Sequence, residues 1–313
     1  YTEGTGVGPF ESAKAELVDG GRIRISTGSS PQGQSHRTTF AQIAADTLDV
    51  DMSVIEIVGG DTGAVHTGFG TYASRSAVVG GHAVVEAAEK LREQILLAAA
   101  GLLDREPAEL ELSDGAIRPA GGGDVLLPLA AVAGALTPYN PGRPAGMPAR
   151  LSAEAHHRPK TVTWAAGVHA AVVAVDTRTG EVEILRYVVA HDCGRPLNPM
   201  IVDGQTRGGV MQGIGGALYE EIVYDESGQL RNGSFMDYLL PTVAEAPDIE
   251  MVHVDVPSPL NRLGIKGIGE GGAIGPGAAI ANAVEDALRD RGVVIRSGPL
   301  SPSRVRDLLR DAA

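Results

Sequence analysis

A glutamate, Glu270, stands in a glycine-rich stretch, residues 263–277, with the sequence Leu-Gly-Ile-Lys-Gly-Ile-Gly-Glu-Gly-Gly-Ala-Ile-Gly-Pro-Gly. Glycines let a backbone approach a ligand closely or take positive φ. Glu270 precedes a predicted helix that begins at Pro276, and a helix N-terminus favours an anionic ligand. A carboxylate in this position could act as a general base. A glycine-rich turn with a solvated glutamate explains the spacing about equally well.

Three glycines of the same stretch, Gly267, Gly269 and Gly272, match the Gly-x-Gly-x-x-Gly fingerprint of dinucleotide-binding proteins. That fingerprint needs a strand immediately before it and a βαβ unit around it. The preceding residues, Pro257-Ser-Pro-Leu-Asn-Arg262, predict a loop instead. The sequence therefore argues against a nicotinamide-binding site here.

A second segment runs from His191 through Asp-Cys-Gly-Arg-Pro-Leu to Asn198-Pro-Met and on to Gly204-Gln205. Amides and backbone N–H groups ahead of a helix suit a pyrophosphate and its nucleotide. For the glycines that follow, tight helix packing is the favoured explanation; these are Gly208, Gly209, Gly213 and Gly216. His191 and Cys193 could suggest a metal or a nucleophile, but without a second spaced pair a structural role is favoured for both.

Two earlier segments place hydroxyls, amides and backbone donors on loops that open helices. One is Pro31-Gln-Gly-Gln34-Ser-His36-Arg-Thr, and the other is Gly70-Thr-Tyr-Ala-Ser74-Arg75-Ser76. Both could cradle an anion, and both could be ordinary helix caps, which is the commoner use of Ser and Thr there.

Hydrophobic periodicity and turn residues predict an α+β chain in two halves, residues 1–160 and 161–313. For the first half they predict a hairpin at 15–26, a helix at 38–48, a strand at 52–58, a helix at 76–103, a hairpin at Asp114-Gly115 and a linker within 119–160. For the second half they predict a hairpin at 168–190, a helix at 204–221, strands near 222–230 and 249–255, a helix at 276–289 and a final helix capped by Ser301. Each half has a hairpin, a Gly-Gln pair and a helix, which hints at a duplicated unit.

Composition narrows the possible partners. The formal net charge of −13 makes nucleic acid an unexpected partner, and no apolar run is long enough for a membrane span. The N-terminus lacks a signal peptide pattern and resembles the middle of a longer polypeptide, so we expect an acidic, cytoplasmic protein. Cys193 is the only cysteine, which excludes an iron–sulfur cluster held by four thiolates of this chain.

Taken together and in order, the segments resemble the molybdenum hydroxylases, the family of xanthine dehydrogenase, aldehyde oxidase and carbon monoxide dehydrogenase large subunits. Members carry a Gly-Gln-Gly-His-like segment, Gly-Thr-x-x-Ser-Arg-Ser, Asp-Cys-Gly with Asn-Pro and Gly-Gln, and Lys-Gly-x-Gly-Glu. This chain has each of them over nearly its full length, and is most similar to the bacterial carbon monoxide dehydrogenase-like branch. It departs at Ser35, where the family usually has glycine.

The resemblance implies the family's cofactor-binding fold, with two similar α+β subdomains and mixed sheets. The implied cofactor is molybdenum held by molybdopterin cytosine dinucleotide, with no direct side-chain ligand to the metal. Implied cofactor contacts are Gln34, Ser35, His36, Ser74, Arg75, Ser76, Asp192, Asn198, Gln205, Lys266 and Gly267. Glu270 would be the catalytic base, taking the proton from the water-derived oxygen that attacks the substrate carbon.

The resemblance also implies partners: the N-terminal half of the catalytic subunit, an iron–sulfur small subunit and an FAD-carrying medium subunit. The substrate would be a small molecule such as carbon monoxide, an aldehyde, a purine or an N-heterocycle, and the chain alone would be inactive. Two other functions stay open, a non-catalytic scaffold of the same fold and, less favoured, a nicotinamide-dependent dehydrogenase.

Overall fold

The computed structural model describes residues 1–141, 143 and 146–312, and the chain divides into two compact units. The amino-terminal unit comprises Thr5–Thr163 and Pro259–Ile265. The carboxy-terminal unit comprises Tyr1–Gly4, Trp164–Ser258 and Lys266 onward. The chain passes from the amino-terminal unit to the carboxy-terminal unit between Thr163 and Trp164, close to the predicted division at residue 160. The sequence patterns did not predict that residues 1–4 and 259–265 each join the other unit.

The elements follow in chain order. The strands of the described residues are β1 (Thr2–Thr5), β2 (Glu11–Leu17), β3 (Ile23–Thr27), β4 (Ile55–Gly59), β5 (Leu110–Ser113), β6 (Ala116–Pro119), β7 (Leu127–Pro128), β8 (Leu151–His157), β9 (Thr163–Val175), β10 (Val182–Asp192) and β11 (Ile249–His253). The helices are α1 (His36–Leu48), α2 (Gly81–Leu103), α3 (Leu129–Leu136), α4 (Pro199–Leu218), α5 (Gly271–Ile274), α6 (Pro276–Ala287) and α7 (Pro302–Asp311).

In the amino-terminal unit, a mixed sheet has the strand order β4-β3-β2-β8. The predicted hairpin is confirmed, since β2 and β3 pair antiparallel on either side of the turn Asp19–Gly21. Helix α1 then crosses over, and β4 runs parallel to β3. Alternation of apolar residues along β2 buries Ala13, Ala15 and Leu17, as a half-buried strand requires.

The carboxy-terminal unit repeats this order. Strands β9 and β10 pair antiparallel, α4 crosses over, and β11 runs parallel to β10 in a sheet of order β1-β9-β10-β11. Helix α6 follows as α2 does in the first unit. The predicted duplicated α+β unit is therefore confirmed in its topology, with each copy in the order strand, strand, helix, strand, helix. The predicted correspondence of the Gly-Gln pairs is wrong, because Gly33-Gln34 precedes α1 whereas Gly204-Gln205 lies within α4.

This order determines where the chemically interesting segments lie. In each unit, the two parallel strands both run into a loop that opens a helix. Residues 28–35 link β3 to α1, and residues 60–75 precede the helical turns at the start of α2. Residues 193–198 link β10 to α4, and residues 254–270 link β11 to α5. Carboxyl ends of neighbouring parallel strands are a preferred place for ligands.

The structure confirms some of the other predicted elements and contradicts others. The hairpin at Asp114-Gly115 and the cap of Ser301 on α7 are confirmed. The predicted linker 119–160 is wrong, because it contains α3 and β8. In β8 the apolar side chains alternate as in any half-buried strand, but the proline- and glycine-rich flanks obscured this pattern. A strand near 222–230 is also wrong, since only an isolated bridge joins Tyr224 to Leu230.

Helix α4 packs on the sheet of the carboxy-terminal unit through Val210 and Ile214, which are fully buried beside Tyr187. It begins at Pro199 rather than at the predicted Gly204, because proline is well suited to a first helical turn. Its glycines divide into two groups. A methyl group added to Gly209 would lie 2.8 Å from Gly272 Cα, and one on Gly213 would lie 2.6 Å from the Pro276 ring. A methyl group added to Gly208 or Gly216 would meet no atom within 4 Å.

We expect Gly209→Ala to lower the free energy of unfolding by about 1–3 kcal/mol, because the added methyl group meets backbone that must move. Gly216→Ala is the matched control on the same helix. It should raise the free energy of unfolding by up to about 1 kcal/mol, as alanine is the better helix former. Urea titration followed by circular dichroism measures both. Equal effects would contradict the assignment of Gly209 to helix packing.

Candidate functional site

A buried ion pair lies beneath two of the predicted segments in the amino-terminal unit. Arg75 Nη1 donates to Glu11 Oε2 at 3.0 Å, and both side chains are fully buried. The remaining described bonds of the guanidinium run to backbone carbonyls: Nε to Val7 at 2.6 Å, Nη1 to Gly70 at 2.8 Å and Nη2 to Phe10 at 2.6 Å. A buried charge is tolerated only with such partners.

The carboxylate of Glu11 organises the loops around it. Besides Arg75, its donors are the backbone N–H groups of Ser12, Phe69 and Gly70 and the hydroxyl of Ser29, at 3.0–3.2 Å. Thr71 Oγ1 also donates to the carbonyl of Ser30 at 2.7 Å. Residues 29–30, which directly precede the segment 31–38, are therefore brought together with the start of the segment 70–76.

Ser35 occupies a left-handed backbone conformation, with φ 61° and ψ 34°, immediately before α1. Its side chain caps no helix N–H, so simple N-capping does not explain this serine. A side chain in this conformation costs about 1–2 kcal/mol, a cost that glycine avoids. The geometry therefore gives a physical reason for the glycine that the family usually has at this position.

His36 is the first residue of α1 and is 6% exposed. Burial lowers the pKa of His36, and a hydrogen bond with the backbone of Ser29 partly opposes this. Its Nδ1 atom is buried and has no hydrogen-bond partner among the described residues. The ring lines a cavity of about 210 Å³ beside the ends of β3 and β4, together with Thr27, Ser29, Pro31, Arg37 and Glu56–Gly59. The neutral imidazole therefore carries an unsatisfied polar atom.

The loop before α2 is strained. Ala73 and Ser74 both have left-handed φ, 47° and 49°. Ser76 begins a π-helical turn, Ser76–Gly80, and its hydroxyl donates to Thr71 Oγ1 at 3.0 Å. Strained backbone and π-turns both concentrate at functional sites. Arg75 was predicted to contact a cofactor, but its buried guanidinium is directed at the protein, so its observed role is to position this loop.

In the carboxy-terminal unit, Asp192 ends β10 and pairs with Lys266. One carboxylate oxygen accepts from the Lys266 ammonium, and the other accepts from the Gly194 N–H at 2.8 Å. The Lys266 N–H also donates to the Cys193 carbonyl at 2.7 Å. These bonds fix two of the predicted segments, 191–198 and 263–277, beside each other. Both charged side chains keep a small exposed fraction, 17% for Asp192 and 11% for Lys266.

Asn198 is the N-cap of α4, where its Oδ1 accepts from the Ile201 N–H at 3.2 Å. Gln205 lies further along the same helix and is half-buried. Gly204 and Gly208 adjoin it, and a methyl group added at either would meet no atom within 4 Å. One side of α4 near its start is therefore accessible to a ligand. The other side packs against neighbouring helices through Gly209 and Gly213.

Glu270 lies at the turn that precedes the short helix α5 and is exposed. Its carbonyl accepts from the Ala273 N–H at 2.8 Å. The residues before Gly267 form turns rather than a strand, so the dinucleotide fingerprint lacks its required context. Gly267 is buried in the same loop. The structure thus agrees with the sequence argument against a nicotinamide site.

Cys193 is a free thiol in the carboxy-terminal unit. Its side chain is buried, and burial raises the pKa of the thiol to about 11, assisted by the carboxylates of Asp255 and Asp192. Across the described residues, no group of three or more His, Cys, Asp or Glu side chains could hold a metal ion. The structural role expected for Cys193 fits these observations.

Sequence reasoning missed Glu11, the residue whose carboxylate organises the loops of the amino-terminal unit. It stands at the start of a strand, next to Ser12 and amid alternating small residues, where an acidic residue usually faces solvent. The partner Arg75 lies 64 positions away, so pairing the two requires the fold.

Comparison with known proteins agrees with this geometry. Residues 1–247 match the profile of the molybdopterin cofactor-binding domain family. The chain is 36% identical to the nicotine 6-hydroxylase large subunit of Paenarthrobacter nicotinovorans, over 94% of its own length and 36% of that protein. It is 34% identical to the carbon monoxide dehydrogenase large chain of Hydrogenophaga pseudoflava, over 98% of its length and 38% of that protein.

Solved structures give the same result. Quinoline 2-oxidoreductase from Pseudomonas putida 86 superimposes with a TM-score of 0.87 and 38% identity, over 99% of this chain and 41% of that one. The Cu,Mo-containing carbon monoxide dehydrogenase also gives a TM-score of 0.87, at 31% identity.

The fold and the ordered segments define a molybdopterin cofactor-binding domain. The chain belongs to the molybdenum hydroxylase family. It spans somewhat more than a third of the length of the large subunits it matches.

We expect Glu11→Gln to lower the free energy of unfolding by about 3–5 kcal/mol, because it leaves the Arg75 charge buried without a counterion. Glu89→Gln is the control in the same unit. Glu89 forms an exposed bidentate pair with Arg262 at 2.7 and 2.9 Å, and its loss should cost less than about 1 kcal/mol. Chemical denaturation measures both variants. Similar losses would show that the buried pair has no special role.

We expect Ser35→Gly to raise the free energy of unfolding by about 1 kcal/mol, because glycine relieves the left-handed backbone. Ser303→Gly, in the exposed first turn of α7, should instead destabilise by roughly 0.5–1 kcal/mol. Melting temperatures of the two variants should therefore move in opposite directions. A decrease for Ser35→Gly would contradict the strain argument.

Proposed function

We propose that this chain is the cofactor-binding part of the catalytic subunit of a molybdenum-dependent hydroxylase. The observation that carries the proposal is the placement of the four motif segments. In each unit, two of them follow the carboxyl ends of the parallel strand pair, and polar bonds of Glu11 or Asp192 hold them together. In each unit, this arrangement suits an anionic ligand better than it suits a simple helix cap.

The residues present fit such a ligand. The buried Nδ1 of His36 lacks a partner, and it borders a cavity. Gly33, Gly204 and Gly208 have open space where a side chain would stand, so backbone can approach a bound group closely. The start of α1, where Ser35 makes no side-chain cap, presents backbone N–H groups that suit phosphate oxygens. These features support molybdopterin, and the similarity to carbon monoxide dehydrogenase large chains supports its cytosine dinucleotide form.

We assign cofactor contacts by unit. In the amino-terminal unit these are Gln34, Ser35, His36, Ser74 and Ser76, with Arg75 as the residue that positions their loop. In the carboxy-terminal unit these are Asp192, Asn198, Gln205, Lys266 and Gly267. Because Lys266 neutralises Asp192, the pair can lie beside an anionic group without a net negative charge. The cofactor, when bound, would accept the two electrons that are removed from the substrate carbon.

Glu270 is our proposed general base. The residue is exposed in this chain, and in this role its carboxylate would take the proton from the water-derived oxygen that enters the product. The Lys266–Asp192 bond anchors the start of the same loop. A general base must be held within hydrogen-bond reach of the proton that it removes.

The remaining parts of the proposal concern the whole protein. Substrates of the relatives include nicotine and carbon monoxide, by their names, so a small molecule such as carbon monoxide, an aldehyde or an N-heterocycle is proposed here. Electrons would pass to iron–sulfur and FAD groups on partner chains, since one cysteine cannot hold a cluster. A cytoplasmic location is proposed as well; in the described part of the chain, no helix is long and apolar enough to cross a bilayer.

We expect Glu270→Gln in the native enzyme to retain molybdenum and CMP while turnover falls by about 10²–10⁴-fold, because the amide cannot accept the proton. Metal analysis and nucleotide release after acid treatment measure the cofactor, and single-turnover reduction by substrate measures the chemistry. Glu250→Gln is the control, since Glu250 is an exposed acid in the same unit that pairs with Arg186. It should keep near-full turnover.

Near-full activity of Glu270→Gln would remove Glu270 as the base. Absence of molybdenum and CMP from the native protein would instead favour the scaffold function. Saturable binding of NAD(H) would support the dehydrogenase alternative.

A further inference from the structure

The segment between α4 and β11, residues 220–248, has an unusual distribution of side chains. Within it the structure describes neither a long helix nor a paired strand of more than an isolated bridge. Segments of this length without regular structure in a compact domain are uncommon and usually functional. We refer to residues 220–248 as the docking segment.

Polar side chains hold the backbone of the docking segment in one shape. Asn232 accepts from the Val223 N–H at 2.9 Å and donates to the Glu221 carbonyl. Tyr238 donates to Glu220 Oε2 at 2.7 Å. Further along, Thr242 and Glu245 form a reciprocal capping box. The segment is thus ordered through its own hydrogen bonds rather than through burial of its apolar residues.

The large apolar side chains point to solvent instead. Val243 is 90% exposed, Met236 is 87% exposed and Phe235 is 82% exposed. Other exposed apolar or aromatic residues of the segment are Ile222, Val223, Tyr224, Leu230, Leu239 and Leu240. Single exposed hydrophobic residues are normal, but nine of them within one segment of 29 residues indicate an interaction surface.

The surface also contains a concave part. A groove of about 490 Å³ is lined by Ile222, Leu230, Asn232, Gly233, Ser234, Phe235 and Tyr238. Its walls are mainly apolar and aromatic, so a bulky apolar side chain of a partner could enter it. Buried apolar anchors of this kind dominate the energy of stable interfaces.

The charge of the docking segment distinguishes among the molecules that could cover this surface. The docking segment has seven acidic residues and one basic residue, Arg231. A second copy of this chain would place two acidic rims against each other, which costs affinity. A suitable partner has apolar residues at its centre and Lys or Arg around them.

We infer that the docking segment packs against the remaining portion of the large catalytic subunit, the portion that this chain does not span. This rests on the proposed function. The chain matches 36–41% of the length of similar large subunits and nearly all of itself, so such proteins have a long further stretch of polypeptide to be packed. Interfaces within one subunit are permanent, and permanent interfaces are the most apolar.

Hydroxyl-radical footprinting of the native enzyme, read by mass spectrometry, tests whether the surface is covered. We expect Phe235, Met236 and Val243 to oxidise at least tenfold more slowly than their exposure in this chain predicts. Leu97 on α2 is the internal control, since it is 59% exposed and belongs to the other unit. It should oxidise at the rate of a half-exposed leucine. Unprotected oxidation of Phe235, Met236 and Val243 would overturn the inference.

Photo-cross-linking identifies the occupant. With p-benzoylphenylalanine at Met236, whose side chain has no described hydrogen bond, cross-linked peptides should come from the rest of the large subunit. The same residue introduced at Leu97 is the matched control and should not give those peptides. Cross-links to a second copy of residues 220–248, or only to a separate iron–sulfur or flavin subunit, would overturn the inference.

Molybdenum and CMP are measured on the same preparation. If both are present while the surface is unprotected, the docking inference fails and the proposed function stands. If both are absent while the surface is protected and cross-linked as expected, the proposed function fails and the docking surface stands.

Discussion

The salt bridge between Glu11 and Arg75 is the interaction on which the amino-terminal unit depends. Two fully buried charges would be costly alone, but backbone donors and carbonyls satisfy them on every side that the structure describes. Because one carboxylate accepts from residues 29 and 69–70 and one guanidinium donates to residues 7, 10 and 70, three stretches of chain share a single fixed centre. The Asp192–Lys266 pair performs a similar task in the carboxy-terminal unit, with more of its surface exposed.

Duplication explains why the motif segments are spread so widely along the sequence. Each unit has a hairpin, a crossover helix and a third strand parallel to the second, so two loops per unit emerge at the same sheet edge. The four segments occupy corresponding positions in the two copies. Their spacing in sequence therefore reflects element lengths, whereas their chemistry reflects the position that they share in the fold.

Much of this arrangement could be predicted from sequence, and the failures have physical causes. Hairpins at Asp19–Gly21 and Asp114-Gly115 were predictable because turn chemistry is local. The strand β8 was missed because its alternation is short and its flanks are rich in proline and glycine. Glu11 was missed because its burial depends on a partner far away in sequence. Gly208 and Gly209 are adjacent and alike in sequence. Only the packing of the helices shows that Gly209 contacts α5 whereas Gly208 faces open space. The roles of the site residues toward a cofactor remain predictions.

The buried thiol has a practical consequence for work with this protein. Nucleophilic and redox reactions of cysteine proceed through the thiolate, and the pKa of Cys193, about 11, leaves almost none of it at neutral pH. The chain should therefore resist alkylating reagents and peroxide at its native sulfur. Since it has no other cysteine, a thiol introduced anywhere on its surface would be the sole reactive one, so spin labels or fluorophores could be attached at single chosen positions without first removing a native residue.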